Sequence, residues 1–450
     1  MVRFILTTSL VILSAAAMAD DVAVTVYNSN LGVVSETRSL EFQKGVNRFA
    51  FTDVPSQIDP ASVQFEVVGS NANISILEQN YAFDLVDPQQ MYNKYIDQQI
   101  ELIDKDGKLY SGTLLAFSGD AITLQEKSGR IKIVMMEHIT EVNFPSLPEG
   151  LITRPTLFWI YNSDFSGKLD GKIGYQTSGM NWSAEYVGVL GSDEKNLDLS
   201  GWASIDNTSG KTFKEATLKL IAGDIGRIEP EIFIRGGRGK AVYTADMGAA
   251  GFEEKAFFEY HLYTLPRKAT IADKETKQIS LFEPAGTSVE KVFIYRPERD
   301  AKKVEVDIKF TNSKETGLGM PLPAGRVRMF KADDDGSMIL LGEDMIDHTP
   351  KNEEVKVRVG YAFDIVAEQR VIDQTRISSE VQDQMFEIEL KNRKDEPVTV
   401  EVEKKIYGYW DVLESSMEYQ KKDAYTLVFR VPVGADKSTV LKFKIRSYLR

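Results

Sequence analysis

A mostly β fold is predicted, with serial sandwich units of the immunoglobulin-like kind and a small SH3-like or Sm-like barrel. Three observations carry this expectation. Apolar and polar residues alternate, as where Val63, Phe65 and Val67 fall on one strand face and Gln64 and Glu66 on the other. Short apolar runs are closed by turn formers, as where Val24-Thr25-Val26-Tyr27 meets Asn28-Ser29-Asn30. Helical periodicity is almost absent.

The first element, over 1–19, is a secretory leader. Arg3 supplies its positive charge, an apolar run follows, and Ala17 and Ala19 satisfy the small-residue rule for cleavage between Ala19 and Asp20. The run is shorter than the roughly 20 residues of a spanning helix. No later stretch is long and apolar enough to cross a membrane, so the chain is not expected to span one. An N-terminal β module is expected over 20–87. At its end Asp87-Pro88-Gln89-Gln90 has the form of a helix start, with Asp87 as cap and Pro88 at the first helical position; the helix should end near Tyr95 to Gln98.

Four strands then follow closely, near 100–103, 108–117, 121–125 and 131–135, separated by turns that each contain glycine. Such spacing predicts the small barrel over 88–147, with strands pairing mainly among themselves. Pro145 and Pro148 mark a linker. Two sandwich units are expected beyond it, over 150–300 and 301–450. They share a layout in which an alternating strand ends at an asparagine before a polar turn, at Asn207, Asn312 and Asn392. Trp182 and Trp202 lie in alternating strands and are expected in the core.

The 450 residues carry a net charge of −13, and loss of Arg3 with the leader makes the mature chain one unit more negative. Such a chain repels phosphate backbones, so nucleic acid is not an expected partner. The absence of cysteine removes disulfides, thiol nucleophiles and thiolate metal sites.

Several segments resemble the exported bacterial family catalogued as domain of unknown function 4139. They are Val24-Thr25-Val26-Tyr27-Asn28, Gly179-Met180-Asn181-Trp182-Ser183-Ala184-Glu185-Tyr186, and Phe258-Glu259-Tyr260-His261-Leu262-Tyr263-Thr264-Leu265-Pro266. The strongest is Met320-Pro321-Leu322-Pro323-Ala324-Gly325-Arg326-Val327-Arg328-Met329-Phe330, followed by Leu341-Gly342-Glu343-Asp344 and Ile346-Asp347-His348-Thr349-Pro350. The resemblance spans most of the mature chain and implies a β-rich secreted or periplasmic protein. It brings no catalytic residue with it.

Only His138, His261 and His348 supply imidazole. His261 shares a strand face with Phe257, Glu259 and Tyr263, which favours a structural role over a chemical one. His348 follows Asp344 and Asp347 in a turn-rich stretch that has the groups for a cation or an acid–base pair, although acidic loops more often simply face water. Asp104-Lys105-Asp106-Gly107 and Asp333-Asp334-Asp335-Gly336 lack the ligand spacing of an EF-hand and read as hairpin turns. Arg235-Gly236-Gly237-Arg238-Gly239-Lys240 lacks the residues of a phosphate loop. Two S-x-x-K matches, Ser192 to Lys195 and Ser288 to Lys291, are what chance supplies. Tyr407-Gly408-Tyr409-Trp410 has the aromatic groups to stack a sugar, but Trp410 at a strand end more often fills a core.

No catalytic, cofactor-binding or metal constellation stands out. The leading expectation is an exported, periplasmic or secreted binding or scaffold protein of the cell envelope without its own catalysis, with another envelope protein or a cell-surface glycan as partner. The first rival is a hydrolase using paired carboxylates on a glycoside or ester, and the second is a carbohydrate binder acting through Trp410.

Overall fold

A computed structural model describes residues 13–14, 21–83, 87–146, 152–223, 225–226 and 252–448. The expected leader, except for 13–14, and the loop from Arg235 to Lys240 lie outside the described residues. The fold is mostly β, as the alternation requires.

Strand Asp21–Tyr27 buries Val22, Val24 and Val26 on one face and turns at Asn30 into Gly32–Phe42. Gly32–Phe42 pairs along its whole length with Gly167–Thr177, which pairs onward with Ile58–Val68. On its other side Asp21–Tyr27 runs parallel to Phe213–Ala222, followed by Tyr260–Ile271 and the edge strand Glu253–Phe257. A second sheet joins Gly45–Thr52 and Ile74–Ala82 through Thr156–Ser163. A third has the order Glu275–Ser288, Asn196–Asn207, Met180–Leu190, Gly325–Ala332, Met338–Ile346. All three feed one core, with Trp159, Trp182, Tyr175 and Tyr186 among its enclosed side chains.

A nine-stranded sheet forms a second core from Phe293 to Ile445. Strand Glu354–Arg376 belongs to both, with Val355 and Val357 in the first core and Ile365 and Ala367 in the second.

The expected boundaries at 87, 150 and 300 therefore do not separate sheets. Strands from 20–87 pair with strands from 150–300. Gly325–Ala332 runs parallel to Met180–Leu190, and Glu290–Tyr295 joins the C-terminal sheet beside Val398–Lys405. Alternation marks where a strand lies, but its partner is chosen by the face it must bury, here more than a hundred residues away.

The 88–147 segment forms its own five-stranded sheet and core, and its strands pair only with one another. A fifth strand, Ile139–Asn143, was not expected from the sequence and pairs with Gln99–Asp104. The helix runs Pro88–Lys94, with the Asp87 side chain accepting from the Gln90 backbone N–H and Tyr95 as its C-terminal cap.

The three asparagines are buried corner clamps. Asn207 donates to the Lys211 carbonyl at 2.8 Å and accepts from the Ser209 backbone N–H at 3.1 Å. Asn392 repeats the pattern, donating to the Glu396 carbonyl at 2.8 Å and accepting from the Lys394 N–H at 3.0 Å. Asn312 spans a longer loop, donating to the Met320 and Pro350 carbonyls and accepting from Gly319. Each amide thus satisfies backbone groups that a buried turn would otherwise leave unpaired. Trp182 is enclosed, but Trp202 is only half-buried, because Gly201, Ala203 and Ile205 supply the inward face of its strand.

Candidate functional site

The sequence candidates separate into three places. Trp410 is a core residue, with its indole N–H donating to the Ala424 carbonyl at 2.8 Å and the Lys421 ammonium 4.2 Å above its ring. Its ring is therefore packed within the protein, while Tyr407 and Tyr409 are exposed. A sugar platform on Trp410 is excluded by this packing. Asp344 is bound to its own fold, accepting from the Arg358 backbone N–H at 2.8 Å. Asp347 is exposed, and its carbonyl accepts from the Thr349 hydroxyl. His138 lies on an exposed 3-10 turn beside Glu137.

His261 and His348, 87 residues apart in the sequence, line one cavity of about 210 Å³ together with Glu259, Tyr263, Leu322 and Gly223. Three segments build it. Strand Tyr260–Ile271 carries His261 opposite Ala256, and Glu254, two residues along the edge strand on the same face, sits 2.7 Å from His261 Nδ1. The segment from Pro321 to Pro323 is fixed by two buried phenols: Tyr263 donates to the Pro321 carbonyl and Tyr186 to the Pro323 carbonyl. Leu322 and Thr349 exchange backbone hydrogen bonds at 2.9 Å, which holds His348 beside them. Gly223 allows close approach, since a Cβ there would meet the Tyr260 ring at 2.7 Å.

The hydrogen bonds assign the two rings opposite roles. His348 Nδ1 accepts from the Ala324 backbone N–H at 3.0 Å, so its neutral form carries the proton on Nε2 and presents a donor. His261 Nδ1 faces a carboxylate, so its proton sits on Nδ1 and Nε2 is an acceptor when the ring is neutral. Trp182 supports the site from within the core: its indole N–H donates to the Ile221 carbonyl, and its ring lies 6.2 Å from that of Tyr263. Sequence spacing alone could not bring the two histidines together.

Two wider clefts hold mainly neutralised charge. In one, of about 800 Å³, Glu194 is bound by Lys291 and Lys331, and these contacts hold its carboxyl at about 2. Both S-x-x-K stretches border this cleft, and its Lys291 is committed to Glu194. In the other, burial alone would raise Glu403, but Lys422 and Arg296 outweigh it and hold the carboxyl below its ordinary value. A glycosidase acid needs a raised carboxyl, so these clefts do not favour the hydrolase reading.

A buried charge cluster was not legible in the sequence. Glu36 pairs with Arg38 at 3.0 Å and Lys211 at 3.2 Å and accepts from the Tyr175 hydroxyl at 3.1 Å. Burial pushes Lys211 down and Tyr175 up. All four side chains are enclosed in the first core, which makes the cluster structural.

Three consecutive apolar residues are exposed at the end of the hairpin formed by Gly325–Ala332 and Met338–Ile346. Met338, Ile339 and Leu340 are 48%, 50% and 50% exposed, and Phe363 on the neighbouring strand is 95% exposed. Among the described residues Met338–Ile346 forms a ladder only with Gly325–Ala332. Its outer side packs against Glu354–Arg376 at Gly342 and Asp344, where a Cβ on Gly342 would collide with the Val359 carbonyl, and no ladder covers the outer side of residues 338–340. No helix among the described residues is long and apolar enough to cross a membrane. No protein-family model and no curated protein matches the chain.

Proposed function

We propose that this is an exported binding protein of the cell envelope, related to the family it resembles, which captures a partner protein along the exposed apolar end of this strand, Met338-Ile339-Leu340. The carrying observation is the apolar run Met338-Ile339-Leu340, half-exposed and with no ladder on its outer side, next to the exposed Phe363 of Glu354–Arg376, the strand that the rest of Met338–Ile346 packs against. Exposed apolar edges are templates for strand addition, and proteins with no use for them blunt them with charge or proline. The turn beyond the strand carries Asp333, Asp334 and Asp335. The fitting partner therefore supplies an extended apolar segment with basic residues at the end that meets this turn.

Photo-crosslinking from position 339 in the exporting cell tests the reading. The expected result is a single adduct mapping to an extended, basic-flanked segment, lost in Leu340→Lys. No adduct above background, or an adduct insensitive to Leu340→Lys, would count against it.

A further inference from the structure

We propose that the cavity between His261 and His348 is a second binding site, separate from the strand edge, and that it takes one neutral sugar residue through a hydroxyl held between the two imidazoles. The ring assignments carry the proposal. His348 offers an Nε2–H donor and His261 an Nε2 acceptor, and among the described residues neither nitrogen has a hydrogen-bond partner. A hydroxyl is the one common group that donates and accepts through a single atom.

The surrounding chemistry narrows the class further. Glu259 lines the cavity and Glu254 stands behind His261, so an anionic ligand meets two carboxylates. A metal ion needs a lone pair on the open face of each ring, and the Ala324 N–H fixes the His348 lone pair on Nδ1, away from that face. Pro321, Leu322 and Pro323 supply an apolar wall for the C–H face of a ring, while Glu259 can accept from a second hydroxyl. The volume of about 210 Å³ suits a single residue better than an extended chain.

With three histidines in the chain, imidazole nitrogen spectra of the full protein resolve the site directly. The probes are methyl glycosides of glucose, galactose and mannose, the same free sugars, acetate, zinc, and N-acetylglycine methylamide as a peptide mimic. The expected result is a saturable shift of His261 and His348, but not His138, with at least one glycoside. A response to glycosides marks the end of a glycan chain, and a response to free reducing sugars alone marks a soluble monosaccharide. His348→Asn keeps an acceptor for Ala324 and loses the donor, so affinity should fall about tenfold. His348→Gln places an amide N–H near the lost donor and should recover part of it. No saturable shift with any sugar, or a response confined to acetate, zinc or the amide, would overturn the proposal. So would a His348→Asn variant that is folded by its amide spectrum and binds unchanged.

Discussion

One hairpin, Gly325–Ala332 with Met338–Ile346, has two unlike ends. At its base, the adjoining Pro321, Pro323, Ala324 and Thr349 are each tied to another part of the chain, by Tyr263, Tyr186, His348 and Leu322. At its tip, Met338, Ile339 and Leu340 lie half-exposed with no ladder on their outer side, whereas Gly342 and Asp344 further along the strand pack against Glu354–Arg376. The base is organised by the fold and leaves two imidazole edges facing a cavity. The tip leaves apolar side chains in solvent and a short stretch of strand without a second ladder, which is where the proposed partner adds. A well-packed protein can therefore hold two kinds of opening, one defined by where hydrogen-bonding groups are fixed and the other by where they are missing.

The sharpest way to break this contrast is to substitute at each end. Trp182→Ala removes an enclosed ring beside Tyr263 and should cost about 3–5 kcal/mol in chemical denaturation. Asn312→Ala removes a fully enclosed amide that bonds the Met320 and Pro350 carbonyls and the Gly319 N–H, and should cost about 1–3 kcal/mol. Phe363→Ser and Leu340→Lys should stay within about 0.5 kcal/mol of the parent, because the side chains they replace are exposed. Destabilisation by Leu340→Lys equal to that by Trp182→Ala would show that the tip is already packed in solution.

A smaller effect concerns pH. Glu194 joins Lys331, near the tip, to Lys291, and its folded carboxyl lies at about 2 against an ordinary 4.5. A lowered folded value gives stability that is complete above about pH 4.5 and lost as the pH falls towards 2. Since the side chain is about a third exposed, screening reduces the contribution to about 1 kcal/mol. Glu194→Gln should remove that part of the acid dependence, and an unchanged slope between pH 5 and about 2.5 would contradict it.

Much of the secondary structure was legible because its signals are local. The Asp87 cap, the small sheet's turns and the alternation through Val63, Phe65 and Val67 each need only a few neighbouring residues. The asparagine at three strand ends was visible too, but its clamping role required the return of the chain. Sheet membership was not legible, since parallel partners such as Met180–Leu190 and Gly325–Ala332 are joined by no local signal. The same limit hid the site. His261 and His348 each stand out in the sequence, but no local signal joins Glu254 to His261 or turns Asp344 to the Arg358 N–H. Nothing in Met338-Ile339-Leu340 itself tells a strand edge from an interior position.

The most direct test of the central claim is residue-resolved hydrogen exchange across 338–340, before the bulge at Leu341, in the isolated chain and in complex with the protein captured from position 339. In the isolated chain, amides facing Gly325–Ala332 should exchange slowly and those on the outer edge rapidly, so protection alternates along the strand. In the complex, the outer amides should become slow as well while the rest of the hairpin is unchanged. Outer amides already protected in the isolated chain, or still fast in the complex, would contradict strand addition at this edge.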